Sequence, residues 1–264
     1  MVITCEVLDD GIAVVTLDRP DAANALTLPM VAELRARIAD LQEDPAVRLL
    51  VLTGRGKVFC AGLDLKEVLM GDDAPVGPIE NMDLQERFAS LMREIAESRF
   101  PVIAALNGAA VGAGMGIALA ADIRIAATTA RFLVGAVKVA LSAGECGISY
   151  HLPRLIGAGR AFEIMLTGRP VDAEEAIRVG LVTTLCDPDA LGNTALKLAR
   201  QIAANSPYAV KHTKQVMRTN LDSASLQAAL ELENHVQCLA LGTADFKEAC
   251  EAFAQKRVPK FTGT

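Results

Sequence analysis

Apolar and polar residues alternate over residues 2–8 and again over 12–17, with Asp9, Asp10 and Gly11 between them. Period-two patterning on either side of an Asp-Gly turn predicts two paired strands. Arg19 and Pro20 end the second strand, because proline offers no N–H to a ladder. Residues 28–42 then take helical spacing, with Val31, Leu34, Ile38 and Leu41 on one face. Residues 47–53 and 102–106 are continuous apolar runs of strand length, the pattern of parallel strands covered on both faces. Between them, 65–70 opens a short helix, 71–78 reads as a loop, and 83–98 is an amphipathic helix carrying Leu84, Phe88, Leu91 and Ile95. A glycine-led helix over 112–121 is followed by strands at 123–126 and 131–134.

The strand-strand-helix rhythm of the first half gives way to helices at 158–166, 173–179, 189–205, 207–219, 223–241 and 244–256. One strand, 181–186, interrupts them. This pattern predicts an α/β core over residues 1–200 and a helical region over 201–264 that serves subunit contacts.

Composition narrows the possibilities. The chain has 264 residues, 52% of them hydrophobic, with no Trp, which suits close helix–sheet packing and excludes disorder. A net charge of −6 and the lack of a basic run argue against a nucleic-acid partner. No apolar run is long enough to span a membrane, because Asn107 and glycines break the stretch from 103 to 121. Cysteines 5, 60, 146, 186, 238 and 250 lack metal-ligand spacing, and the three histidines stand far apart, so no metal site is expected. Scattered thiols and a strand pattern at the N-terminus, in place of a signal peptide, point to a cytoplasmic protein.

The candidate chemistry lies in two small-residue segments, 59–65 (FCAGLDL) and 107–116 (NGAAVGAGMG). Each follows a predicted strand and opens a helix, so each leaves backbone N–H groups outside any ladder. Helix dipoles reinforce such donors, and two of them converging make an oxyanion hole.

Residues 14–26 (VVTLDRPDAANAL), 51–65 (VLTGRGKVFCAGLDL), 101–122 (PVIAALNGAAVGAGMGIALAAD), 152–157 (LPRLIG), 166–181 (LTGRPVDAEEAIRVGL) and 253–263 (FAQKRVPKFTG) together resemble the crotonase family of enoyl-CoA hydratases, isomerases and related acyl-CoA enzymes. The resemblance implies a spiral of ββα repeats with a C-terminal helical region, assembled as a homotrimer or homohexamer. It implies an acyl-CoA substrate or ligand and no separate cofactor. The thioester oxygen would accept from the N–H groups of Leu63 and Ala113. Coenzyme A would lie along Ala22, Ala23, Ala25, Ala61, Asp64 and Leu65, with Arg19 and Lys57 near its phosphates. Phe253 and Lys256 of a neighbouring subunit would close over its nucleotide end.

The family's hydratases use two glutamates, and the resemblance places Gly116 and Ala136 at those positions. Neither can transfer a proton, and the family's single-glutamate isomerases, which keep the second of these positions, are not matched either. Glu145 is the substitute, in a loop where some relatives carry a working aspartate. It reads equally as an N-cap or first-turn acid of the helix that follows. His151 reads as a packing or surface residue, Asp64 as the cap of the helix at 65–70, and Asp72 and Asp73 as acids of a variable lid loop, with a place facing the acyl group the lesser alternative. Two functions follow: an enzyme that stabilises an enolate, with Glu145 moving a proton, or an acyl-CoA binding protein that keeps the fold without the reaction.

Overall fold

The computed structural model describes residues 2–71 and 74–264; Asp72 and Asp73 lie outside them. Strands β1 (Ile3–Val7) and β2 (Ile12–Leu17) form the expected antiparallel hairpin, with Ile3 opposite Leu17. Helix α1 (Leu28–Glu43) follows, capped by Thr27, whose hydroxyl accepts from the Met30 N–H. Its buried face is Met30, Val31, Leu34, Ile38 and Leu41.

A unit of long strand, short strand and helix then recurs three times. The first is β3 (Leu49–Gly54), β4 (Val58–Cys60) and α2 (Leu65–Leu69), extended by α3 (Pro78–Glu97). The second is β5 (Val102–Leu106), β6 (Ala109–Val111) and α4 (Ala113–Ala120). The third is β7 (Ile123–Ala127), β8 (Arg131–Leu133) and α5 (Ile148–Ile156). The chain continues through α6 (Ala158–Thr167), β9 (Val171–Asp172), α7 (Ala173–Arg178), β10 (Thr184–Cys186) and α8 (Leu191–Ala203). It ends in α9 (Pro207–Asn220), α10 (Leu226–Ala240) and α11 (Ala244–Gln255).

The long strands build one sheet in the order β1-β2-β3-β5-β7-β10, parallel apart from β1. The short ones build a second sheet, β4-β6-β8-β9, in which only β9 is antiparallel. Each turn of the chain therefore adds one strand to each sheet before its helix covers them.

Three elements differ from the pattern reading. Helix α3 starts at Pro78 rather than 83, because proline at the first helical position costs no hydrogen bond. The strand expected at 181–186 shortens to β10, since the N–H groups of Leu181 and Val182 both bond Ala176 O and close off α7. Residue 200 falls inside α8, which packs Leu191, Ala195 and Ala199 beneath the large sheet among Ile12, Leu49 and Ile103. The chain leaves the core only after Ala203.

Beyond that point α9 and α10 bury no residue within this single chain, and Leu226, Leu230 and Leu239 stand exposed. The last residues are tied down by Asp245. Its buried carboxylate accepts from Ser206 Oγ (2.7 Å) and from the N–H groups of Thr262 (2.7 Å) and Gly263 (3.1 Å). Burial pushes this carboxyl up, but those hydrogen bonds together hold it below its ordinary value. A depressed folded pKa gives stability that is present above the unfolded value and is lost as pH falls through the folded one. Amide exchange at residues 262–263 is therefore expected to accelerate, relative to core amides, as pH drops below about 4. An Asp245→Asn variant should show that fast exchange already at neutral pH.

Candidate active site

Strands β4 and β6 are parallel neighbours, with Val58 opposite Ala109 and Cys60 opposite Ala110. Their carboxyl ends therefore release the chain side by side, and the two small-residue segments meet there. Gly62 (φ +87°) makes the contact: a Cβ on it would stand 2.7 Å from Val111 O and 3.5 Å from the Ala113 nitrogen. Only glycine combines that backbone with that approach. Gly114, in the first turn of α4, would place a Cβ against the Cys60 carbonyl. Small residues on both segments thus serve close approach of one arm to the other.

A short ladder holds the first arm. Ala61 N–H donates to Ala23 O (3.0 Å), Leu26 N–H to Gly62 O (2.7 Å) and Asp64 N–H to Leu26 O (3.0 Å). In this parallel bridge between Leu26 and Leu63, the flanking residues supply the bonds, so the Leu63 N–H is turned away from the ladder. Ala113 is the first residue of α4, where an N–H has no partner within the helix. Among the described residues neither the Leu63 nor the Ala113 N–H has a hydrogen-bond acceptor.

The same ladder sets Ala23 beside Ala61 and Leu26 beside Leu63, so the turn that holds Ala22 and Ala25 adjoins this arm. Asn24 anchors that turn and is the residue pattern reading missed. It is fully buried, adopts φ +55°, and its Nδ2 donates to Val58 O (2.7 Å) and Arg55 O (3.0 Å). Its Oδ1 accepts from the Arg19 N–H at 2.9 Å. Asn24→Ala leaves the Arg55 carbonyl and Arg19 amide without these partners and keeps a left-handed residue without the side chain that favours it. A loss of about 2–3 kcal/mol in urea unfolding is expected.

Arg19 is engaged within the protein. Its guanidinium donates to Asp64 Oδ2 (2.7 Å) and Ala25 O (3.0 Å), and also approaches Glu67. Asp64 caps α2, accepting from the Glu67 N–H, and the hydrogen bond from Arg19 holds its carboxyl below the usual range. Lys57 is exposed on the turn before β4. Phe253 lies in the last turn of α11 and is 88% exposed, and Lys256 caps that helix.

Glu145 reaches the second arm. Its Oε1 lies 3.4 Å from where a Cβ would stand on Gly112, the residue before Ala113. It is not the cap of the next helix: Gly147 precedes α5, and Glu145 contributes only its backbone carbonyl, to Ile148 N–H at 2.8 Å. Burial pushes its carboxyl above the ordinary 4.5. Glu145 and Cys146 line a cavity of about 330 Å³ with Ala89, Gln85 and Glu86 of α3, the last two unflagged by the sequence pattern. Burial, followed by the neighbouring Glu145 charge, pushes the Cys146 thiol up to about 12, so it stays protonated. Burial, then Arg218, Arg124 and Arg154, push His151 down to about 4; it is neutral at pH 7 and packs edge-on against Tyr150.

A larger cavity, about 640 Å³, lies between the 42–48 turn, α9 and residues 261–264, and none of the predicted site residues lines it. Among the described residues no cluster of His, Cys, Asp or Glu could hold a metal ion, and no helix is long and apolar enough to cross a membrane.

Two sheets wound by strand-strand-helix turns, with open backbone groups at the carboxyl ends of parallel strands, define a crotonase-type spiral. The chain belongs to the enoyl-CoA hydratase/isomerase family, whose model matches residues 8–264. It is 39% identical over 257 residues to a probable enoyl-CoA hydratase of Mycobacterium tuberculosis, covering 95% of this chain and 89% of that one. It is 36% identical over 258 residues to the 1,2-epoxyphenylacetyl-CoA isomerase of Escherichia coli, covering 97% of each. The enoyl-CoA hydratase structure from Bacillus anthracis superposes with a TM-score of 0.94 at 33% identity, over the full length of both chains.

Proposed function

We propose that this protein binds an acyl-CoA thioester with its carbonyl oxygen between the N–H groups of Leu63 and Ala113, and that Glu145 moves one proton on the enolate so stabilised. The observation that carries this reading is the half-buried Glu145 carboxyl over Gly112, one residue from an unpaired N–H. Coenzyme A itself is placed along Ala22–Ala25 and the 61–65 arm by analogy with the family, with no further cofactor.

The number of proton carriers decides the reaction. Adding water across a 2-enoyl thioester takes a base for the water and an acid for C2. Gly116 and Ala136 supply neither. Moving a double bond takes one carboxylate: it removes a proton from C2 of a 3-enoyl thioester, the C3=C4 pair shifts to C2=C3, and the carboxyl, having exchanged that proton with solvent, protonates C4. The reading is therefore an isomerase; the relatives' names cover both hydratases and an isomerase, the latter named for an epoxyacyl-CoA. The bare faces of α9 and α10, with exposed Leu226, Leu230 and Leu239, support assembly of the chain as a trimer or a pair of trimers.

Mass spectrometry of a panel of enoyl-CoA thioesters in D₂O tests the reading. Deuterium entering the acyl chain without hydration is the expected result. Addition of D₂O across the double bond would overturn it in favour of a hydratase. A bound but unchanged thioester would favour the acyl-CoA binding protein, the reading that the residues at 116 and 136 otherwise invite.

A further inference from the structure

Gly116 is more than a missing acid. It lies in the middle of α4, where a Cβ would stand 2.7 Å from both the Cβ and the carbonyl oxygen of Cys146, and 3.4 Å from Met92 Sδ. The space that a side chain would need is filled by the backbone of the 144–147 turn. Cys146 reaches that depth in a left-handed conformation, φ +48°, which a cysteine seldom adopts, and Gly147 follows at φ +74°. Strain of this kind persists only where the surroundings enforce it.

Gly112 and Gly116 are successive positions on one face of α4, joined by the Gly116 N–H to Gly112 O bond of 3.0 Å. The turn lies along that face in register, with Cys146 on Gly116 and Glu145 on Gly112. We propose that Gly116 and Cys146 are positioning residues for Glu145: the bare helix face at 116 seats the Cys146 backbone, and that seating holds the Glu145 carboxyl beside the Ala113 arm. In this chain a side chain at 116 and the seated turn need the same volume. The proposal rests on Glu145 being the proton carrier.

The test is Gly116→Ala in the full-length protein, since even one methyl meets the Cys146 backbone. Displacement of Glu145 by about 1 Å should lower the rate of solvent deuterium exchange by about 100-fold. The Kd for the thioester should stay unchanged, because neither N–H donor moves. Two further readouts separate positioning from general damage. The acidic limb of the exchange rate should move to lower pH as Glu145 gains solvent. Alkylation of Cys146, mapped by peptide mass, should accelerate as the turn lifts. Gly147→Ala disturbs the same turn from its outer side, where the added Cβ meets only His151, and should shift the limb in the same direction if the first variant folds poorly. An unmoved limb with unaltered Cys146 alkylation in either variant would overturn the proposal. If instead Glu145→Gln leaves exchange intact, the proton-carrier reading fails, while Cys146 alkylation still reports whether Gly116 seats the turn.

Discussion

Glu145→Gln is expected to lower solvent deuterium exchange into the acyl chain by about 10²–10⁴-fold, the usual contribution of a positioned acid–base group, while leaving thioester affinity unchanged. Glutamine keeps the shape of the side chain and its contact over Gly112, so the turn at 144–147 has no reason to move. What disappears is the exchangeable proton. The pH dependence carries the same assignment. Burial raises the Glu145 carboxyl above its ordinary 4.5, so a rate that needs the carboxylate as base should rise through a limb above that value. The Gln variant should show no such limb. Stability should respond the other way. A carboxyl with a raised folded pKa adds stability below its unfolded value, and that contribution is lost as pH rises through the folded value. At neutral pH the neutral glutamine removes a buried charge, so Tm should hold or rise. Lost exchange with an intact Tm would locate the effect in chemistry; unchanged exchange would return Glu145 to a packing role.

Much of this arrangement was legible in the sequence, and the gaps have physical causes. Long elements declare themselves by period: α1 shows its buried face in Val31, Leu34, Ile38 and Leu41, and β5 is apolar throughout. The second sheet does not. Strands β4 and β6 are three residues long and β9 is two, too short for any alternation to register; β8 was legible as a strand at 131–134, but the pairing of all four emerges only when β3, β5 and β7 stack in order. The two small-residue segments were visible as turn chemistry, yet their meeting depends on that pairing. Asp64 was readable as a cap because its partner is three residues away. Asn24 was not, because its acceptors at Arg55 and Val58 are more than 30 residues distant and a polar residue in a turn reads as solvated. Glu145 stood between two local roles, and long-range contact decided: Gly147 occupies the cap position, and the carboxyl finds Gly112 across the chain. Arg19 shows the converse. A lone cation before a ligand segment suggests a phosphate contact, whereas in the fold Asp64 already takes a share of its guanidinium.

Gly62→Ala is the substitution expected to damage the site most directly, and by a different route from Glu145→Gln. The methyl would enter at 2.7 Å from the Val111 carbonyl, a backbone atom that cannot rotate away. The φ of +87° adds strain for any L side chain. Relief comes by separating β4 from β6, and that separation moves the Leu63 and Ala113 N–H groups off their common target. One misplaced oxyanion donor costs about 10²–10³ in kcat, because such bonds strengthen as charge develops on the oxygen. The loss should fall on kcat more than on KM, since the coenzyme A contacts proposed along Ala22–Ala25 do not depend on the two donors converging. The polarised carbonyl gives an independent signature. A conjugated thioester held between two N–H donors should absorb at longer wavelength than it does free in solution. Glu145→Gln should keep that shift, because polarisation needs only the two donors, whereas Gly62→Ala should lose it together with turnover. If Gly62→Ala keeps both the shift and the rate, the two arms do not act on the thioester oxygen as one unit. The division of labour, with backbone for charge and Glu145 for the proton, would then have to be abandoned.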